Sequence, residues 1–471
     1  MLRYNVPAGI TIPRRRFLCT VASAAVPWAL PATGRRKPVP LVRAAFLYTP
    51  TALLQREGYY SWPGAGFDAE GRQRQYAARI AEIAAKLNVE ITLEPAPLYG
   101  EEPVARFIRE VKSTPCDGLL LVACKKSEWE AVRRIVRETG IHTVAVAPTG
   151  VLLTPNINDL YSTPGVYTIS SLDNFGAIEF GLRMLGAARA MKESRILSIA
   201  GTKTGEAVVE HLGTRIRIRP MEDYAAAFRA TEVTPEVEAL ARDFRRYAKD
   251  CREPSWSDIL DAARAHVALQ RLVQQEEADA VMMQCLEGIR EKQIPPPCMS
   301  FMRLRDTRVP AGCQNDLNAT LTLMLVQQLF DQPGFQQNAS CEGERNHYFG
   351  AHCTSPTRLS GPDAPPAPYI LRNHAEAGAG CVPQVLWPAG QDVTMAHYLS
   401  GAKPEMLVYS GKIVRCYEMP PAGGCRTNLE MTINELDDAC GVKSMHQTIF
   451  LGNHARQLRR FCQLCNIPVV T

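Results

Sequence analysis

Several features are missing from this sequence, and each absence narrows what it can be. There is no internal repeat, no heptad pattern and no collagen-like glycine period, which excludes solenoids, coiled coils and fibrous proteins. The stretch Gly201-Thr202-Lys203-Thr204-Gly205 lacks the glycine spacing and the closing Lys-Ser/Thr of a phosphate loop, so nucleotide handling of that kind is excluded too. Cys462-Gln463-Leu464-Cys465 is a lone CxxC pair. Without a second pair or a strand-to-helix turn around it, it argues for neither a zinc site nor a thioredoxin-like centre.

Acidic residues are absent from positions 1–37, where Arg3, Arg14, Arg15, Arg16, Arg35, Arg36 and Lys37 stand. The formal charge of +5 is therefore a property of the N-terminus, since setting those seven aside leaves 46 basic against 48 acidic side chains, a net −2. A body so close to neutral gives no electrostatic reason to bind nucleic acid. Arg14-Arg15-Arg16-Phe17-Leu18, followed by the apolar run Leu18–Ala32, resembles a twin-arginine export signal. That run is about 15 residues, broken by Pro27 and Pro31, and falls short of the ~20 a membrane anchor needs. The expectation is an exported protein of the periplasm or extracytoplasmic space with no stable membrane anchor. Of fifteen cysteines, the fourteen beyond Cys19 can form disulfides there, in pairings that spacing leaves open.

What is present reads as a multidomain α/β protein. Hydrophobic content of 46% and charged content of 21% are ordinary for globular chains, and 471 residues predict two to four domains. Following the signal and linker (1–37), residues 38–165 alternate strands (Val42–Tyr48, Val89–Leu93, Gly118–Val122, His142–Val146) with helices (Arg72–Leu87, Glu102–Ser113, Ser127–Thr139). Such alternation predicts a parallel sheet flanked by helices. A linker at Pro148–Pro164 leads to a second α/β unit, 166–332, with helices Phe175–Met191, Met221–Thr231 and Ser257–Glu277 and strands Arg195–Ala200, Arg215–Ile218 and Ala278–Gln284. Thr234-Pro235 reads as a helix start, a capping hydroxyl before a first-turn proline. Residues 333–471 are dense in glycine and proline and predict a mainly β domain. Its strands are Met406–Tyr409, Lys412–Tyr417, Leu429–Ile433 and Thr448–Leu451, with Ser410-Gly411 as a hairpin turn, and it closes with helix Ala455–Cys465 and strand Ile467–Val470. The fold class expected is thus two Rossmann-like parallel α/β domains followed by a mainly β C-terminal domain.

Two acidic clusters fall near strand ends of the second unit, where α/β proteins gather ligands: Glu287-Gly288-Ile289-Arg290-Glu291 and Gln314-Asn315-Asp316. Each has a plain alternative, Asp316 as the cap of the helix that follows and Glu291 as a solvated loop acid. Gly288-Ile289-Arg290-Glu291, then Asn315-Asp316 25 residues on, then His446 six residues before Gly452, together resemble the L-fucose isomerase family. Pro333-Gly334-Phe335, His352-Cys353 and the run from Gly452 to Leu458 resemble stretches of its wider superfamily, which includes L-arabinose isomerase.

The resemblance implies a metal-dependent aldose–ketose isomerase acting on a small sugar, in a homo-oligomer. Glu291, Asp316 and His446 would hold Mn²⁺ or a similar cation, and Glu291 and Asp316 would serve as the acid/base pair. Oxygen ligands with one imidazole suit such an ion, and the ion would stabilise an enediol intermediate. The family's Glu two positions before the aspartate is Gln314 here, and Met445-His446-Gln447 replaces its Asn-His-Gly, so altered activity is one expectation and Glu287 an alternative ligand. His352, His374, Glu376 and Trp387 are candidate sugar contacts, with core packing as the alternative for His352 and Trp387. The rival reading is a non-catalytic carbohydrate-binding or sensing protein on the same fold.

Overall fold

The computed structural model describes residues 38–57, 63–64, 66–419 and 424–471. The twin-arginine reading of residues 1–37 lies outside them. Among the described residues no helix is long and apolar enough to cross a membrane.

Strands β1 (Leu41–Leu47), β2 (Glu90–Leu93), β3 (Gly118–Ala123), β4 (Thr143–Pro148) and β5 (Val166–Ser171) form a sheet in the order β2-β1-β3-β4-β5. All its pairings are parallel. Every residue of β3 and β4 is buried, as unbroken apolar runs in a sheet covered on both faces require. The stretch read as a linker at 148–164 contains a helix, Thr154–Tyr161, whose Pro155 sits in its first turn, where a missing N–H costs nothing.

A second sheet runs β11-β10-β6-β8-β7. It is built from β6 (Arg195–Ile199), β7 (Gly205–Val209), β8 (Thr214–Arg219), β10 (Ala280–Met283) and β11 (Ala311–Cys313). Its pairings are parallel except at β7, an antiparallel edge strand that the sequence pattern did not announce. The expected helix start at Thr234 is present, with its hydroxyl accepting from the Val237 N–H. The two-residue strand β9 (Asp250–Cys251) leaves this unit and pairs in parallel with β14 (Tyr369–Arg372), beside β15 (Val382–Val385).

The C-terminal part is a β-barrel. Its strands are β12 (Phe335–Glu342), β13 (His347–His352), β16 (Asp392–Leu399), β17 (Glu405–Cys416), β18 (Thr427–Met431) and β19 (His446–Leu451). They run β16-β19-β12-β13-β18-β17, and β17 pairs back onto β16 to close the ring, while β20 (Val469–Val470) adds to β17. The hairpin expected at Ser410-Gly411 is absent, because both residues lie inside the twelve-residue β17. The first half of that strand pairs with β16 and the second with β18. Glycine is needed at 411 for a close approach, since any Cβ there would strike the Thr432 carbonyl.

The helix Leu317–Phe330 joins the second sheet to the barrel. It is buried on nearly all sides, with Leu321, Met324 and Leu325 in one core with Ala396, Tyr398 and Phe450. Each such apolar side chain contributes ~1.5–3 kcal/mol on burial, so the sheet end from which this helix starts is fixed against the barrel.

Candidate functional site

The site is made where that helix begins. At the end of β11, Gln314 and Asn315 both take left-handed backbone conformations, with φ of 56° and 52°, an uncommon pair for non-glycine residues. The Asn315 N–H donates to the Met283 carbonyl (2.8 Å), and its side-chain oxygen accepts from the Ser198 hydroxyl (2.9 Å), which draws the loop over the carboxyl ends of β10 and β6. Asp316 then caps the helix, one carboxylate oxygen accepting from the Ala319 N–H at 2.8 Å. Its other oxygen, Oδ2, meets His446 Nδ1 at 2.6 Å, a contact between residues 130 apart in sequence. The capping role and the site role are therefore held together, one by each oxygen. Burial raises the Asp316 pKa, but the bonds from His446 and Ala319 outweigh it and hold the carboxyl below its ordinary range.

An ionised Asp316 fixes the tautomer of His446: Nδ1–H donates to the carboxylate, and the basic lone pair lies on Nε2. That Nε2 is buried and has no hydrogen-bond partner among the described residues. His352 lies alongside, ring centroids 5.8 Å apart. The Cys353 N–H donates to His352 Nδ1 (2.9 Å), so the ring hydrogen belongs on Nε2, which also lacks a partner. Burial drives the His352 pKa down to about 3 and that of His397 to about 4, keeping both rings neutral at pH 7. His397 feels the charges of Asp316 and His446 and leaves Nδ1 unpartnered. The three imidazoles are at most 3% exposed, whereas the Asp316 side chain is 23% exposed and is the member open to solvent.

The other predicted residues fall differently. Glu291 is exposed at the end of the short helix Cys285–Arg290, accepting from the Gln293 amide (2.9 Å) with Arg290 at 3.8 Å. Among the described residues, no group of three or more His, Cys, Asp and Glu side chains is placed to hold a metal ion. Trp387 is barrel core, its indole N–H donating to Ser355 and its ring packed on Phe335. His374 is buried in a turn after β14, where Nδ1 accepts from the Ala377 N–H, and Glu376 is exposed nearby. Cys462 and Cys465 are buried free thiols whose pKa values burial pushes up.

Sequence reasoning missed His397 and Ser198. A histidine interrupting the apolar positions of a strand such as Asp392–Leu399 was a readable signal for the first. Ser198, in the middle of an apolar strand, gave none.

No family model matches the chain. No curated protein matches it either. Among solved structures, it is similar at 12% identity to D-threo-3-hydroxyaspartate dehydratase from Delftia sp. HT23, over 90% of this chain and 85% of that one, with a TM-score of 0.12. A metal-free mutant of the same enzyme gives the same identity, coverage and TM-score. Likenesses this weak carry no argument about fold or chemistry.

Proposed function

We propose that the Asp316–His446 site moves a proton between adjacent carbons of a small hydroxylated carbonyl compound, as an aldose–ketose isomerase does. The observation that carries this reading is the 2.6 Å carboxylate–imidazole contact with its outer nitrogen left without a partner. In this reading His446 Nε2 takes the proton from the carbon next to the carbonyl, and Asp316 stabilises the imidazolium that forms. Neutral His352 donates its Nε2–H to the carbonyl oxygen as negative charge builds there, a job for which a neutral imidazole is suited. Return of that proton to the neighbouring carbon, with the hydroxyl proton passing from the second oxygen to the first, completes the isomerisation with nothing consumed. His446 Nε2 is buried, so substrate reaches it only when neighbouring side chains move.

The order of a parallel sheet, a mainly parallel sheet and a barrel, together with Asp316 and His446, supports the L-fucose isomerase-like reading. The cation is a poorer fit. One carboxylate and one imidazole converge, but Glu291 is engaged elsewhere, so the side chains that meet at Asp316 do not make up a ligand set for Mn²⁺. The Cys341–Cys440 disulfide supports the expectation of an oxidising compartment.

The test is proton exchange in D₂O. Full-length protein, stripped of metal and then assayed with and without Mn²⁺, is incubated with a panel of aldoses, and deuterium at C1 and C2 is read by NMR. Exchange into one aldose that disappears in His446→Gln supports the reading. Binding of a sugar without exchange under either condition would instead indicate the carbohydrate-binding protein.

A further inference from the structure

A pair of buried thiols lies directly behind the Asp316 loop and takes no part in the chemistry above. Cys313 is the last residue of β11, three positions before Asp316, and Cys285 opens the short helix that carries Glu287 and Glu291. Their sulfurs are 3.3 Å apart, and both residues are at most 3% exposed. The contact is set by the sheet. Cys313 is the register partner of Met283 on the adjacent parallel strand, and Cys285 follows Met283 by two residues. The Cys313 backbone is held in turn by Gln336 of the barrel, whose amide accepts from the Cys313 N–H and donates to its carbonyl.

We propose that Cys285 and Cys313 are a redox-responsive pair that hydrogen peroxide converts to a disulfide, tying the Asp316 loop to the helix of Glu287 and Glu291. A disulfide has its sulfurs ~2.05 Å apart, so the pair needs to close by a little over an ångström, within reach of side-chain rotation. Peroxide is the oxidant because the sulfurs are too deeply buried for a bulky disulfide. Cys285 is the attacking sulfur, since the backbone N–H groups of Gln314 and Leu286 face it while Cys313 lies in contact on its other side. Its thiolate attacks one peroxide oxygen, the O–O bond breaks, and the departing hydroxide takes the Cys285 proton to leave as water. Cys313 then attacks the sulfenic sulfur, the S–S bond forms, and the displaced hydroxide leaves as a second water with the Cys313 proton. Two thiols lose two electrons and one peroxide gains them. This inference is independent of whether the site acts on a sugar.

Peptide mapping of the full chain tests it. Folded protein is exposed to graded hydrogen peroxide, free thiols are alkylated, and a tryptic digest is analysed without reduction. Trypsin cuts at Arg290, Lys292, Arg303, Arg305 and Arg308, which separate Cys285, Cys298 and Cys313 onto different peptides. The Cys313 peptide runs from Val309 to Arg345 and already holds Cys341, linked to Cys440, so the expected product is that linked pair joined also to the Cys285 peptide, two hydrogens lighter than the sum of the two and released by a thiol reductant. It should be missing from Cys285→Ser and unchanged in Cys462→Ser. Alkylation of both thiols in the peroxide-treated wild type, or a cross-link from either one to Cys298 or Cys353, would overturn the assignment; neither readout needs a variant to fold.

Discussion

Two carboxylate–imidazole pairs in this protein have nearly the same length and opposite surroundings. Asp316 meets His446 at 2.6 Å, and Glu430 of β18 meets His347 of β13 at 2.7 Å. Glu430 also accepts from the Tyr417 hydroxyl at 2.5 Å, with Arg415 at 3.1 Å and Arg345 at 3.5 Å, so four donors share its two oxygens. Those partners all come from the barrel's own strands, the residue that follows β17, or the turn before β13. Asp316 joins elements of two different parts of the chain, and its histidine keeps an unpartnered nitrogen flanked by two neutral rings. The contrast teaches that the pair alone does not signal chemistry. A saturated pair pins one sheet together, whereas a pair with unused valence has something to offer a ligand.

The largest separation between the two pairs should appear in turnover. Asp316→Ala is expected to slow deuterium exchange by ~10²–10⁴-fold, the usual worth of positioned acid–base catalysis. Glu430→Ala should leave the rate within a few-fold. Circular dichroism on both variants checks that they fold, and equal rate losses would erase the distinction drawn here.

The pairs should also separate in pH dependence. The unfolded chain protonates His397 near 6.5, whereas the folded protein holds it neutral down to about 4. Between those values the unfolded state binds the extra proton, so the stability from His397 is complete above 6.5 and falls on acidification, by about 3 kcal/mol in all. His352, held down to about 3, adds in the same direction. On the Glu430 side burial alone would raise the pKa, but bonds from His347 and Tyr417 lower it. Its contribution is therefore present above the unfolded value of 4.5 and is lost only as pH falls below that. Urea unfolding from pH 7 to 5 should show a decline that His397→Gln reduces and Glu430→Gln does not.

Much of this architecture was legible in the sequence because periodicity is local. The runs at Leu119–Leu121 and Val144–Val146 announced strands buried on both faces, and Thr234-Pro235 announced a helix start. Barrel closure was not legible, since Gly411 reads as a turn until the Thr432 carbonyl that presses on it is known. Asp316 and His446 were legible as residues through resemblance, but not their contact, which depends on how a helix start packs against a barrel strand 130 residues later. Trp387 shows the converse: a lone aromatic reads equally as platform or core, and only its bond to Ser355 decides.

In the unfolding free energy at pH 7, Glu430→Gln should cost ~1–3 kcal/mol, the penalty for leaving donors poorly matched. Its carboxylate is 1% exposed, so water cannot replace the charge that Arg415 and His347 lose. A cost near zero would mean that the barrel does not rely on this pair.

The smallest expected effect sharpens the comparison most. Glu291 is exposed and held by Gln293 and Arg290, away from the Asp316–His446 contact. With metal removed, Glu291→Gln should change deuterium exchange by less than a few-fold, because neither its charge nor its oxygens reach the proton in flight. The measurement should be repeated with Mn²⁺ over a titration. If the cation leaves both rates alike, Asp316 and His446 work as an acid–base pair in their own right, and the unused nitrogen of His446 is the functional feature. If Mn²⁺ accelerates the wild type by orders of magnitude and Glu291→Gln abolishes that gain, the short helix must swing its carboxylate inward to complete a ligand set. The open valence that distinguishes Asp316–His446 from Glu430–His347 would then be a metal's place, not a proton's.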